Sequence, residues 1–332
     1  MTAPFVEHAE YPGVQFPTSV RAVLDAFREA FPLALRLVPD DDHGEAARTV
    51  HCADYVDLIL EGAGLPPGYD PFPLHFLARE GTVFSPPDSF EGRCTLYFFD
   101  EVTRATPEAC QGALWGAAAS RRAAEWVLAA DGLRLALASC RPPGHHAHRG
   151  LGGGLCLFAN PAIAAAALKR RGRVAVIDID QDHGNGTQAI FYEDPDVLTV
   201  SVHAAGWPYV AGRAEESGRG AGVGANLNLV LPRGSDSVPY LEAIREAVAA
   251  VRSFGPATLV VALGFDAQKE QGFGYLQLES EDFASVAELL AGLELPTVIT
   301  TEGCYGYYES TTACASFFFR SWAGSYGRCG SR

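Results

Sequence analysis

Arg173–Gly186 reads RVAVIDIDQDHGNG. Its first half, Val174–Ile177, is apolar and largely β-branched, with no polar residue until Asp178. Such a run is a strand buried on both faces. Its second half turns at once to acids, a histidine and the turn signal Gly184-Asn185-Gly186. Three other strand-like runs end in the same way: LALAS into CRPPGHH (Leu135–His146), LVVALGF into DA (Leu259–Ala267) and TVITT into EGCY (Thr297–Tyr305). In a parallel α/β sheet the carboxyl ends of the strands open on one crevice, where ligands bind. His145, His146, Asp180, Asp182, Asp266 and Tyr305 are therefore expected to converge there. Paired histidines, aspartates and a tyrosine in one crevice point to metal-assisted hydrolysis.

Helical signatures separate these strands. An amphipathic helix is expected near Ser19–Phe31. Thr106-Pro107 supplies an N-cap and a first-turn proline for a helix running to about Ala130. Asn160-Pro161 repeats that signature ahead of AIAAAALKRR, and Gly172 follows its end. Further helices are expected over Glu242–Ser253 and Glu281–Ala291, and a further strand over Val197–His203. Strands alternating with helices imply a parallel α/β sheet. No repeat or linker divides the chain, so a single domain is expected over residues 1–332, with a short N-terminal lead-in and a frayed tail over residues 321–332. The segment 61–96, rich in Pro, Gly and Phe, is a long loop suited to a lid or a homodimer contact.

The 332 residues are 48% hydrophobic and 20% charged, enough for a large core and unlike a disordered chain. A net charge of −15 argues against a nucleic-acid partner, which calls for a basic patch. The eight cysteines contain no C-x-x-C pair, so a zinc ribbon or redox motif is not supported. MTAPFVEHAE lacks the charged and apolar regions of a signal peptide, and the longest apolar stretch, Leu151–Leu168, is broken by glycines and Pro161. A cytoplasmic protein with no membrane partner is the expectation.

Each chemical residue has a bland reading. A single strand-end aspartate is most often a turn former. Asp178, Asp180 and Asp182 recur at period two, however, and point to one side while a strand lasts. Stacked carboxylates are costly without a cation or donors to compensate them. Adjacent histidines after the rigid turn Pro142-Pro143-Gly144 suit a general base with an electrostatic partner. A tyrosine hydroxyl can donate to a developing oxyanion. His183 and His203 are read as structural.

Several motifs, in order, resemble the histone deacetylase superfamily and most of all its bacterial acetylpolyamine amidohydrolase branch. They are RPPGHHA (141–147), GLCLFAN (154–160), DIDQDHGNGTQAIFYEDPDVLTVSVH (178–203), NLNLVLPRGS (226–235), GFDA (264–267) and EGCY (302–305), with a weaker VHCADYV (50–56). The resemblance covers roughly residues 50–310. It implies an arginase/deacetylase-like three-layer α/β sandwich with a central, mostly parallel sheet of about eight strands. It also implies hydrolysis of an acetyl amide by metal-activated water. By position, Asp180, Asp182 and Asp266 would hold the metal. His146 would be general base and acid, with His145 its electrostatic partner. Asp178 and Asn185 would support the two histidines, and Tyr305 would polarise the acetyl carbonyl. Leu155 and Phe273 would face the substrate channel.

This chain departs from the family pattern at the metal motif, where Asp-x-His is Asp180-Gln181-Asp182. The resemblance implies one divalent metal, zinc by family. Three carboxylates make a harder, more anionic site that also admits manganese, iron or magnesium. EGGY has become EGCY, which puts a side chain beside the catalytic turn. The expected function is removal of an acetyl or acyl group from an acetylated amine, such as an acetylpolyamine, acetyl-lysine or a similar small amide. The alternative is a weakly active or inactive relative that binds a small cationic or acetylated ligand, because Asp182 stands where the family has histidine. An arginase-type ureohydrolase shares the fold but not these motifs. Glu215 and Glu216 are placed near the mouth, where they would attract an ammonium group.

Overall fold

The computed structural model describes residues 5–7, 18–72, 85, 87–129, 131–271, 274–304 and 308–329. Its strands are β1 (Phe5–Glu7), β2 (Arg36–Leu37), β3 (Leu135–Ser139), β4 (Val174–Asp178), β5 (Val197–Ala204), β6 (Asn226–Leu231), β7 (Thr258–Leu263) and β8 (Thr297–Thr301). They pair in the order β2-β1-β3-β8-β7-β4-β5-β6, every pair parallel. β3 to β8 form a central sheet of six strands. β1 and β2, three and two residues long, only extend one edge. The expected count of about eight is thus reached only with these two short additions.

The helices are α1 (Thr18–Ala30), α2 (Glu45–Arg48), α3 (Ala53–Ala63), α4 (Phe90–Tyr97), α5 (Pro107–Leu128), α6 (Asn160–Leu168), α7 (Asn185–Phe191), α8 (Ser237–Phe254), α9 (Asp282–Ala291) and α10 (Tyr308–Cys329). Strand alternation assigns them to two layers, because successive side chains leave opposite faces. Leu135, Leu137, Ile177 and Val261 join a core with Val23 and Phe27 of α1, Ile244 of α8, Phe283 of α9 and Phe318 of α10. Ala136, Ala138, Val176 and Val260 join a second core with Ile59 of α3, Ala117 of α5 and Ile163 of α6. The result is the three-layer sandwich that the resemblance implies.

Local chemistry explains the boundaries. Thr106 accepts a hydrogen bond from Ala109 N and starts α5. Gly255, at φ 64°, ends α8 in the left-handed conformation. Three expectations are corrected. The segment 61–96 is not all loop, since α3 runs to Ala63 and α4 starts at Phe90. Asn160 does not cap α6; its amide donates to Pro142 O instead, tying the helix to the Pro-Pro-Gly turn. Nor are residues 321–329 a frayed tail, since α10 continues to Cys329; residues 330–332 lie outside the described residues. Phe318, Phe319 and Trp322 are fully buried and pull the last turns onto α1 and α9. Seven cysteine side chains are described; all are free and six are buried. Among the described residues, no helix is long and apolar enough to cross a membrane.

Candidate active site

Four neighbouring strands, β3-β8-β7-β4, deliver the site from their carboxyl ends. β4 stops at Asp178, so strand alternation does not align the three acids as expected. Asx turns do that work: Asp178 Oδ1 accepts from Asp180 N at 3.1 Å, and Asp180 Oδ1 accepts from Asp182 N at 2.9 Å. The turns split the acids into two groups. Asp178 turns toward His145, while Asp180, Asp182 and Asp266 each bring a carboxylate oxygen within 4.8 Å of the others.

Backbone amides hold this trio from outside. Gly303 N donates to Asp180 Oδ2 at 2.7 Å, and Gln181 N donates to Asp266 Oδ1 at 3.0 Å. A Cβ at Gly303 would lie 2.3 Å from Asp266 Oδ2 and 2.4 Å from Asp180 Oδ2, so only glycine fits there. The neighbouring Cys304 side chain joins the core instead, so the EGCY variant leaves the carboxylates uncrowded. Asp182 Oδ1 and Asp266 Oδ2 are buried without a hydrogen-bond partner. Burial first, then the Asp180 charge, pushes Asp182 up to about 7. The same two causes hold Asp266 well above the usual carboxylate range. Carboxylates so close and so poorly compensated suit a divalent cation with hard oxygen ligands.

The histidines stack beside the trio, ring centroids 3.8 Å apart. Glu302 fixes their turn by accepting from Gly144 N at 2.6 Å and His145 N at 3.0 Å. Burial pushes Glu302 up to about 7, partly offset by His145. His145 Nδ1 meets Asp178 Oδ2 at 2.9 Å. Burial opposes its cation, but the Asp180 and Asp178 carboxylates outweigh burial and keep it protonated far above the ordinary range. His146 Nδ1 meets Asn185 Oδ1 at 2.8 Å, and the Asn185 amide donates to His148 Nε2 at 2.8 Å. That chain assigns the hydrogen of His146 to Nδ1 and leaves Nε2 as a base. Burial first, then the His145 charge, holds His146 well below its ordinary value. The two neighbours are thus driven apart, one cationic and one neutral, the arrangement expected of an acid/base pair.

A pocket of about 470 Å³ opens over His146 and Asp182, walled by Val102, Leu155, Trp207 and Tyr275. Trp207 stands 4.3 Å from the His146 ring. Leu155, at φ 65°, is held by its amide on Thr103 Oγ1. Tyr305 and Phe273 lie outside the described residues. Sequence reading missed Glu302, Trp207 and Tyr275; the first belongs to the quoted EGCY, and the others are loop residues with no periodic signal. Glu216 is corrected as a mouth residue, for it turns inward to accept from Gln188 and Gly212 N. His183 and His203 stack in that same network, centroids 4.7 Å apart. A second trio, His145, Cys156 and Glu302, is equally close. Its histidine and carboxylate are already committed to Asp178 and to two amides, which leaves the aspartate trio as the better cation site.

The sequence profile of the histone deacetylase domain matches residues 15–321. The chain belongs to the histone deacetylase family. Acetylpolyamine amidohydrolase of Burkholderia pseudomallei (strain 1710b) is 36% identical over 313 residues, covering 91% of this chain and 88% of that protein. Acetylpolyamine amidohydrolase 2 of Pseudomonas aeruginosa is 34% identical over 307 residues, covering 90% and 88%. A crystal structure of acetylpolyamine aminohydrolase from Burkholderia pseudomallei superposes with a TM-score of 0.83 at 30% identity, over 98% of this chain and 99% of that one. The histone deacetylase family is metal-dependent, and in this member the aspartate trio is the candidate metal group.

Proposed function

We propose that this protein is a metal-dependent amidohydrolase that releases acetate from an acetylated amine. The whole chain acts as one domain, since both cores are built on the same sheet. The observation that carries the reading is the stacked histidine pair, His145 on Asp178 and His146 on Asn185, beside three undercompensated carboxylates. Asp180, Asp182 and Asp266 would hold one divalent ion. Zinc is expected from the family, while three carboxylates favour manganese or iron more than an Asp-His-Asp site does. When bound, the ion supplies Lewis acidity toward water and the amide carbonyl.

This chain's residues manage the protons. His146 Nε2 takes one proton from the attacking water as the new C–O bond forms, with Asn185 holding the opposite ring nitrogen. The same proton then passes to the amide nitrogen as the C–N bond breaks, giving acetic acid and the amine; the proton left on the acid passes to the amine, so acetate and an ammonium group leave. His145, kept cationic by Asp178 and Asp180, adds positive charge where the oxyanion develops. Tyr305, assigned by its motif, would donate its hydroxyl to that oxyanion. Leu155 and Trp207 form the apolar walls of the acyl channel, and Phe273 is assigned to the channel by sequence position.

Acetate release from N-acetylputrescine and from an acetyl-lysine peptide tests the reading, using metal-stripped protein reloaded with Zn²⁺, Mn²⁺, Fe²⁺ or Co²⁺. Turnover with at least one metal is expected. Silence with all four on both substrates would favour the second reading, a binding relative disabled by Asp182.

A further inference from the structure

Arg233 follows Pro232 in the loop between β6 and α8. Its guanidinium lies over the Tyr275 ring, 3.8 Å from the centroid, and Nε donates to Ala205 O at 2.9 Å. It also covers Gly206, where a Cβ would come within 2.3 Å of Nη2. Backbone bonds make this placement rigid. Ala205 N donates to Leu231 O at 2.7 Å, and Gly234 N donates to Tyr275 O at 2.8 Å. The arginine loop is therefore strapped to both aromatic walls of the pocket, the Gly206-Trp207 side and the Tyr275 side.

The charge of Arg233 is exposed, and its hydrogen-bond partners are neutral: Ala205 O and the side chains of Tyr209 and Tyr275. The protein has 40 acidic and 25 basic residues, so carboxylates are not scarce. Arginines 21, 48, 93, 104, 121, 219 and 320 all pair with one. Among the described residues no carboxylate pairs with Arg233. The pocket's own wall acid, Asp100, offers no counterpart. Its Oδ1 accepts from the amides of Val102 and Thr103, and its Oδ2 from Thr103 Oγ1 and Gly154 N. Asp182 is the other acid of the pocket and belongs to the metal trio. The charge offered to the far end of a ligand is thus a guanidinium that lacks a carboxylate partner, a planar fork that matches one.

The geometry points to a substrate with a carboxylate at the end opposite its acetyl group: an acetylated amino acid with a free α-carboxylate, selected by Arg233 over an acetylated polyamine. With the acyl end at His146, such a molecule runs out between Trp207 and Tyr275 and meets Arg233. A polyamine would present an ammonium group to the same cation and be repelled. The inference rests on the amidohydrolase reading and names its substrate class; Arg233 itself binds and takes no part in the chemistry.

Nε-acetyl-lysine and N-acetylcadaverine differ only by the α-carboxylate, so the ratio of their kcat/KM values reads this contact alone. The wild-type ratio should favour Nε-acetyl-lysine by about tenfold, the worth of one exposed charge-assisted contact. Arg233→Ala should collapse the ratio toward one, mainly through KM, and Arg233→Lys should restore part of it. A wild-type preference for N-acetylcadaverine would overturn the inference. So would Arg233→Ala lowering both substrates alike, since that is the mark of a wall support. If no metal gives turnover of either compound, the amidohydrolase reading fails separately. Calorimetric binding of the two compounds to wild type and Arg233→Ala then decides the arginine's role: a preference for the carboxylate that needs Arg233 sustains it, and equal binding refutes it.

Discussion

At the scale of single residues, the site depends on groups that never touch substrate. Asn185 is one of these positioning residues. Its carbonyl oxygen fixes which nitrogen of His146 carries hydrogen, and its amide is spent on His148. Asn185→Ala should lower kcat by roughly 10–100-fold, the usual effect of removing the partner that orients a site histidine. Metal content should stay that of wild type. A parallel loss of bound metal would mean the residue supports the carboxylates rather than the base. Much of this was legible beforehand. His145, His146, Asp178, Asp180, Asp182, Asn185 and Asp266 stand in quoted motifs, and the fold brings them together. Of the walls, Leu155 was legible from its motif, but Trp207 and Tyr275 were not, because they lie in loops whose course is set by tertiary hydrogen bonds. Glu302 hid for another reason: an acid that binds backbone amides looks, in sequence, like any turn former.

At the scale of elements, β-branched runs located the interior strands, and capping signals located α5. The same logic failed where packing outweighed local preference. Gly324 and Gly327, with Ser321 and Ser325, argue against a helix, yet α10 runs through them. The aromatic residues behind them account for this. Phe319 meets Phe27 of α1 edge-on at 5.1 Å, and Trp322 packs 5.5 Å from Phe318. Trp322→Ala should therefore cost about 3–5 kcal/mol, the range for deleting a buried aromatic ring. Urea unfolding followed by far-UV circular dichroism measures it. A loss below about 1 kcal/mol would show that the terminal turns are dispensable to the core.

At the scale of the whole molecule, the aspartate trio couples metal, protons and folding. Asp182 is raised from 3.8 to about 7, so the folded, metal-free protein holds a proton there more tightly than the unfolded chain does. The stabilisation this gives is fully present at low pH and is lost as pH rises through about 7. A divalent ion competes with that proton. The rise in unfolding temperature on adding Zn²⁺ or Mn²⁺ should be largest near pH 8, about 5 °C or more, and should shrink as pH falls toward 5. A rise independent of pH over that range would remove Asp182 from the metal group.

The cysteines have a consequence of a different kind. Six of the seven described thiols are buried and Cys52 is partly open. Burial pushes Cys94 and Cys140 up to about 12 and Cys314 to about 11, so they remain unreactive thiols while the fold is closed. They lie on both sides of the sheet, Cys94 and Cys140 in one core and Cys304 and Cys314 in the other. The molecule thus carries its own stopwatch. An alkylating reagent would tag Cys52 promptly, and each later tag would time the opening of one layer or the other.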